Sequence, residues 1–185
     1  MIDVNELRKG TTFIMDGDLY RVLDYEHYKP GRGNAIIRTK LRNMRTGSTI
    51  QRNFLSGDRV EDAPVERRTS QYLYRDEEGF YFMDTESYDQ VSAPIDLVGD
   101  QWGYLKEGME IIVSIYENRI IDIEFPPAVE LKVLESEVAV AGDSATGSSK
   151  IVTCETGLKV PAPLFVNVGD VIRVDTRTGA YVTRV

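Results

Sequence analysis

The sequence predicts an all-β protein made of small barrels, and three observations predict it. No segment carries a long helical pattern. Short β-branched and aromatic runs alternate with Gly, Asn, Asp and Pro turn signals along the whole chain. Those runs also fall into three groups, broken at Asp62-Ala63-Pro64 and again at Pro126-Pro127. Hydrophobic content of 42% and charged content of 28% are ordinary for a folded chain.

The first group covers residues 1–63. Asp3 and Glu6 have the spacing of a helix cap, but the stop at Gly10 leaves room for one helical turn only. TTFIM and DLYRVLDYEHY then read as strands around an Asp16-Gly17 hairpin turn. A basic strand follows, then a turn at Thr46-Gly47, then STIQRNFL. These strands make a small antiparallel barrel. In residues 64–127, SQYLYRD, FYFMDTESYDQVSA, MEIIVSIY and RIIDIEF supply strands, with a short helical insert at IDLVGDQWGYL. Residues 128–185, from VELKVLE to TRTGAYVTRV, repeat the alternation at similar length. Two five-stranded barrels of the oligonucleotide/oligosaccharide-binding (OB) type are the expected architecture, stiffly linked through Pro126-Pro127.

Charge is divided unevenly. The formal net charge is −8, yet residues 1–62 hold 11 Lys/Arg against 9 Asp/Glu, and residues 63–185 hold 11 against 21. From Tyr28 to Gly57 there are seven basic residues and no acidic one. Such a run in an acidic chain points to RNA or phosphate contact.

Enzyme chemistry lacks its parts. One histidine, His27, and one cysteine, Cys154, leave neither a zinc ligand set nor a disulfide, so no metal and no cofactor is expected. No apolar run is long enough to cross a membrane, and Asp3 and Glu6 stand where a signal peptide would be apolar. A cytoplasmic protein is expected. Gly31-Arg32-Gly33 lacks the third glycine and the following helix of a dinucleotide site. The stretch GDSATGSS, which begins at Gly142, has Ser148 where a phosphate-binding loop needs lysine.

The stretch YKPGRGNAIIRTKLRN carries the functional signal. Pro30 fixes its own φ, and Gly31 and Gly33 permit turns other residues resist, so the segment suits a tight tip with Arg32 at its apex. Lys29, Pro30, Gly31, Gly33 and Asn34 support that tip. Period-two alternation then places Arg38, Lys40 and Arg42 on one strand face, an RNA-facing basic stripe, with Ile37 and Leu41 turned inward.

These residues resemble bacterial translation elongation factor P, and the likeness extends over the whole chain. PGRGNA, QYLYRD, FMDTESYDQ and KIVTCETGLKVPAPLFVNVGDVIRVDTRTGAYVTR carry it. The resemblance implies an SH3-like (KOW-type) barrel followed by two OB-type barrels, together shaped like a transfer RNA. It implies a monomeric, non-enzymatic factor that binds both ribosomal subunits between the peptidyl-tRNA and exit sites and relieves stalling at consecutive prolines. Arg32 stands at the family's tip position, the residue that contacts the acceptor end of the peptidyl-tRNA. Arginine-bearing members carry rhamnose there, which implies an arginine-modifying glycosyltransferase as a partner. The tips of those members commonly lack the form of Pro30, Gly31, Arg32 and Gly33. Gly142, Asp143 and Ser144 match the loop that meets messenger RNA in the exit site, and Tyr181 and Arg184 match positions expected to face RNA, with a structural barrel tyrosine as the other reading of Tyr181.

Two further functions compete: a general single-strand binder using the OB surfaces, and a small hydrolase. A single-strand binder requires a basic groove lined with aromatics, whereas residues 63–185 are strongly acidic.

Overall fold

The chain begins with a two-residue strand, β1 (Ile2–Asp3), and one 3-10 turn, Val4–Glu6. Asp3 caps that turn, its Oδ1 accepting the Asn5 N–H at 2.8 Å and satisfying a donor the turn cannot. The computed structural model describes residues 1–138 and 149–185. It comprises two compact units, Met1–Val65 and Glu66–Val185.

In the first unit, β2 (Thr12–Met15) and β3 (Asp18–Tyr28) meet at Asp16 and Gly17, whose φ of 53° and 81° give the mirror-image turn that matches strand twist. β4 (Ile36–Asn43), β5 (Thr49–Leu55) and β6 (Arg59–Asp62) complete an antiparallel sheet of order β1-β6-β2-β3-β4-β5. Strands β1 and β6 were not legible in the sequence, since each is too short to show alternation. The core gathers Val4, Leu7, Phe13, Val22, Ile37, Leu41, Phe54 and Val60. Phe13 and Phe54 meet edge to face with centroids 6.2 Å apart, a geometry the ring quadrupoles favour.

One polar cluster ties two turns of this barrel together. Asp18, at the start of β3, accepts Arg45 Nε at 2.7 Å and Arg45 Nη2 at 2.8 Å, and Asn43 Nδ2 at 2.9 Å. Asn43 Oδ1 in turn accepts the Arg45 and Thr46 N–H groups, holding the β4–β5 turn. The Arg45 guanidinium first, and the Asn43 amide second, lower the Asp18 carboxyl to about 2. A depressed carboxylate stabilises the fold above its unfolded value of 3.8, and the contribution disappears as pH falls through about 2. The parent should therefore lose stability between those pH values more steeply than Asp18→Asn. Parallel slopes in urea titrations of the two proteins would contradict this assignment.

The second unit holds two five-stranded sheets. The first comprises β7 (Glu66–Arg75), β8 (Gly79–Asp84), β9 (Gln90–Pro94), β10 (Glu110–Tyr116) and β11 (Arg119–Glu124). Between β9 and β10 lie α1 (Ile95–Val98) and a 3-10 segment, Gly99–Tyr104, which form the expected helical insert. The second comprises β12 (Ala128–Ser136), β13 (Ser149–Cys154), β14 (Lys159–Pro163), β15 (Val171–Asp175) and β16 (Tyr181–Arg184). The sheet orders are β11-β10-β7-β8-β9 and β14-β13-β12-β15-β16. Counted from its own first strand, each follows the same path, and β11 lies beside β9 as β16 does beside β14. That is the closed five-stranded barrel the alternating runs imply.

Buried carboxylate chemistry shapes the FMDTESYDQ motif. Asp84 is 5% exposed and accepts the Glu86 and Ser87 N–H groups at 2.8 and 2.9 Å. Arg68 Nη1 lies 3.4 Å from it. The two amides, then Arg68, hold its carboxyl below the usual range.

The two barrels of this unit share side chains. Tyr104, from the insert of the first, is 8% exposed and belongs to the core of the second with Leu131, Val133, Val152 and Ile172. Phe125 meets its ring edge to face at 6.3 Å. Gly103 passes so close to Leu158 that an added Cβ would lie 2.7 Å from Leu158 Cδ1. The Gly103 carbonyl accepts the Thr156 hydroxyl at 2.7 Å, and Lys106 Nζ pairs with Glu155 at 3.3 Å. At the Pro126-Pro127 junction both proline carbonyls are bonded by Thr176, one by its hydroxyl and one by its N–H.

Candidate nucleic-acid interface

The candidate interface is built on the β3–β4 hairpin. Register runs from Tyr20↔Asn43 to Tyr28↔Ile36, with a bulge between Val22 and Asp24. All five residues at the end of β3, Asp24, Tyr25, Glu26, His27 and Tyr28, are exposed on both strand faces. The end of β3 is thus exposed, while Ile37 of β4, opposite His27, stays in the barrel core up to one pair before the turn.

Residues 29–35 form the turn. Gly33 has φ 104°, which side-chain-bearing residues rarely adopt, whereas Gly31 has no positive φ. Of the two expected glycine requirements, only Gly33 is therefore conformational. An added Cβ at either position would meet nothing within 4 Å. Gly33→Ala is accordingly expected to cost about 1 kcal/mol through backbone strain. Gly31→Ala should stay within about 0.5 kcal/mol. Equal melting temperatures for the two variants would show that φ does not constrain Gly33.

Arg32 lies at the apex, exposed together with Gly31, Gly33 and Asn34, while Lys29 is exposed and Pro30 half-buried. Among the described residues no hydrogen bond or ion pair reaches the Arg32 side chain. Its guanidinium is available to a partner.

The alternation in β4 is as the sequence indicates. Arg38, Lys40 and Arg42 are exposed, and Ile37, Thr39, Leu41 and Asn43 are buried. Thr39, despite its hydroxyl, turns inward and donates to the Arg52 carbonyl at 2.8 Å. The stripe is not purely basic, however. Cross-strand register puts Glu26 opposite Arg38 and Asp24 opposite Lys40. Arg38 Nη1 lies 3.6 Å from Glu26 Oε2, and the Arg38 guanidinium sits 4.4 Å from the Tyr28 ring centroid. Reading β4 alone missed these same-face partners. Equal counting outward from the loop along both strands would have found them.

Gly142, Asp143 and Ser144 lie outside the described residues. Tyr181 is half-buried and packs against the barrel core, which is what a structural barrel tyrosine does. Arg184 Nη1 lies 3.4 Å from the Phe165 carbonyl and 3.5 Å from Asp170 Oδ2, its guanidinium 5.3 Å from the Phe165 ring. Cys154 is buried in this core, and desolvation, with Glu155 adding to it, pushes its thiol up to about 11. It is a packed core residue. No described helix is long and apolar enough to cross a membrane.

Comparison with known proteins agrees with this architecture throughout. Residues 3–60 match the family model described as Elongation factor P (EF-P) KOW-like domain. Residues 65–123 match the Elongation factor P (EF-P) OB domain, and residues 129–184 match Elongation factor P, C-terminal. An Elongation factor P of Moorella thermoacetica is 49% identical over 184 residues, covering 100% of both chains. One of Caldanaerobacter subterraneus subsp. tengcongensis is 47% identical over 185 residues, again covering 100% of both. Among solved structures, a eukaryotic translation initiation factor 5A from Methanococcus jannaschii shares the fold with a TM-score of 0.53 at 22% identity. That likeness covers 66% of this chain and 92% of the other. An SH3-like barrel with an exposed arginine tip, two OB-type barrels and full-length matches lead to one conclusion: the chain belongs to the elongation factor P family of translation elongation factors.

Proposed function

We propose that this factor binds the ribosome between the peptidyl-tRNA and exit sites and promotes peptide-bond formation at consecutive prolines by holding the acceptor end of the peptidyl-tRNA. The observation that carries this reading is Arg32, exposed and unpaired among the described residues at the apex of the β3–β4 hairpin. Proline's ring fixes φ and restricts the preceding residue, so the growing chain is poorly placed for attack. A guanidinium presents a planar fork of donors to phosphate or sugar oxygens. Correct placement of reacting groups removes several kcal/mol of barrier without any catalytic side chain. The protein supplies orientation rather than acid, base or nucleophile.

Charge supports the same division of labour. The first unit is net positive and the second strongly negative, so the tip and the β4 face would approach RNA while the acidic balance of the OB-type barrels disfavours general strand binding there. The third barrel would lie near messenger RNA in the exit site. Arg32 is open to an arginine-directed glycosyltransferase, and a rhamnose there would be read as added mass on the protein purified from its host. The factor would act as a cytoplasmic monomer.

Parallel titrations onto ribosomes and onto free single-stranded oligonucleotides test the reading. Firm ribosome binding with weak oligonucleotide binding is expected, and the reverse would establish a general single-strand binder instead. Lys40→Gln combined with Arg42→Gln should weaken ribosome binding and reduce the slope of log affinity against log salt by about 1–2. An unchanged slope would make that face an ordinary solvated one.

A further inference from the structure

The tip loop has little to hold it. Pro30 has no N–H to donate, and residues 31–34 are exposed. Outside strand pairing, the only backbone hydrogen bond of the loop among the described residues is Ala35 O accepting the Ser56 N–H at 2.8 Å. Two glycines within four residues leave the chain many conformations. A guanidinium that must orient another molecule needs a fixed base.

That base is present where the loop leaves the sheet. Tyr28 ends β3 and pairs with Ile36, the last register pair before the turn. Tyr28 and Glu26 lie two residues apart on one strand face, and Arg38 of β4 faces Glu26 directly and Tyr28 diagonally. Its guanidinium is 4.4 Å from the Tyr28 ring centroid and 3.6 Å, through Nη1, from Glu26 Oε2. A cation over an aromatic face with a carboxylate at its edge is held by both the ring quadrupole and the opposite charge. The cluster joins both stems of the loop on one side.

We propose that Tyr28 is the positioning residue of the tip: it holds Arg38 against Glu26 at the loop's base and so fixes the direction in which Arg32 is presented. This rests on the functional reading of Arg32 given above. Arg38 then serves the protein's own geometry rather than a phosphate, and the RNA-facing part of the stripe contracts to Lys40 and Arg42. Tyr28 is 41% exposed, so its ring is not needed for the core and can be altered without unfolding the barrel.

The test uses the full-length factor in reconstituted translation of a messenger encoding consecutive prolines, with a proline-free messenger as control. Tyr28→Ala should lower the maximal rate on the proline messenger about tenfold, with the half-saturating factor concentration changed less than about twofold. Tyr28→Phe keeps the ring face and should restore the parent rate. Backbone amide relaxation at Gly31, Arg32 and Gly33 should show increased motion in Tyr28→Ala and parent values in Tyr28→Phe. A parent rate for Tyr28→Ala beside an inactive Arg32→Ala would overturn the brace and leave the functional reading standing. A loss confined to the half-saturating concentration would also overturn it, since that marks Tyr28 or Arg38 as a binding contact. A fully active Arg32→Ala would overturn the functional reading itself, whatever Tyr28→Ala does.

Discussion

Replacing Arg32 with alanine should leave a folded factor that still binds ribosomes and no longer relieves stalling at consecutive prolines. The side chain is exposed and no hydrogen bond or ion pair among the described residues reaches it, so its removal should cost within about 0.5 kcal/mol of stability. Most of the surface available for ribosome contact lies on the barrels, so affinity should fall only slightly. The rate of proline joining should nevertheless drop on the order of tenfold or more, because orientation of the reacting ends is what the residue supplies. Arg32→Lys should be intermediate or inactive, since lysine keeps the charge and loses the bidentate fork. The measurement is the yield of a triproline peptide in reconstituted translation, beside a proline-free control. Parent-level yield from Arg32→Ala would make the tip arginine ordinary surface.

The largest effect on stability should come from Tyr104→Ala. Tyr104 is contributed by the insert of one OB-type barrel and buried in the core of the next, with Phe125 edge-on to its ring. Truncating a buried aromatic removes its burial and leaves a cavity, costing about 3–5 kcal/mol. For a unit of this size the midpoint of thermal unfolding should fall by about 10 °C or more. Because one barrel carries the residue and the next buries it, calorimetry should show the unit Glu66–Val185 weakened while Met1–Val65 keeps its own transition. An unchanged midpoint would mean that the ring is dispensable to the core that holds it.

Much of the hairpin that carries the site is legible in the chain. Asp16-Gly17 specifies a turn through its left-handed backbone angles, and β3 runs over DLYRVLDYEHY as the alternation and flanking turns indicate. Arg38, Lys40 and Arg42 face solvent because Ile37 and Leu41 must face the core, and the strand period is two. The apex position of Arg32 follows from Pro30 and the glycines beside it. The bonding of Arg38 does not follow from β4 alone, since it depends on which β3 residues lie opposite.

Turns, strand faces, the charge division and the tip were thus determined by the sequence itself, because each depends on residues a few positions apart and on intrinsic φ, ψ and side-chain periodicity. Tertiary structure alone decided two other matters. Asp18 meets Arg45 across 27 positions of sequence to pin two turns of one barrel. Tyr104 leaves an insert whose pattern reads as a local helix and completes the core of a neighbouring barrel. Each of these depends on where distant segments come to lie, and propensity and period describe only a residue's own neighbourhood. Which acid neutralises which base, and which core an aromatic enters, is settled by packing and by the requirement that buried polar groups find partners.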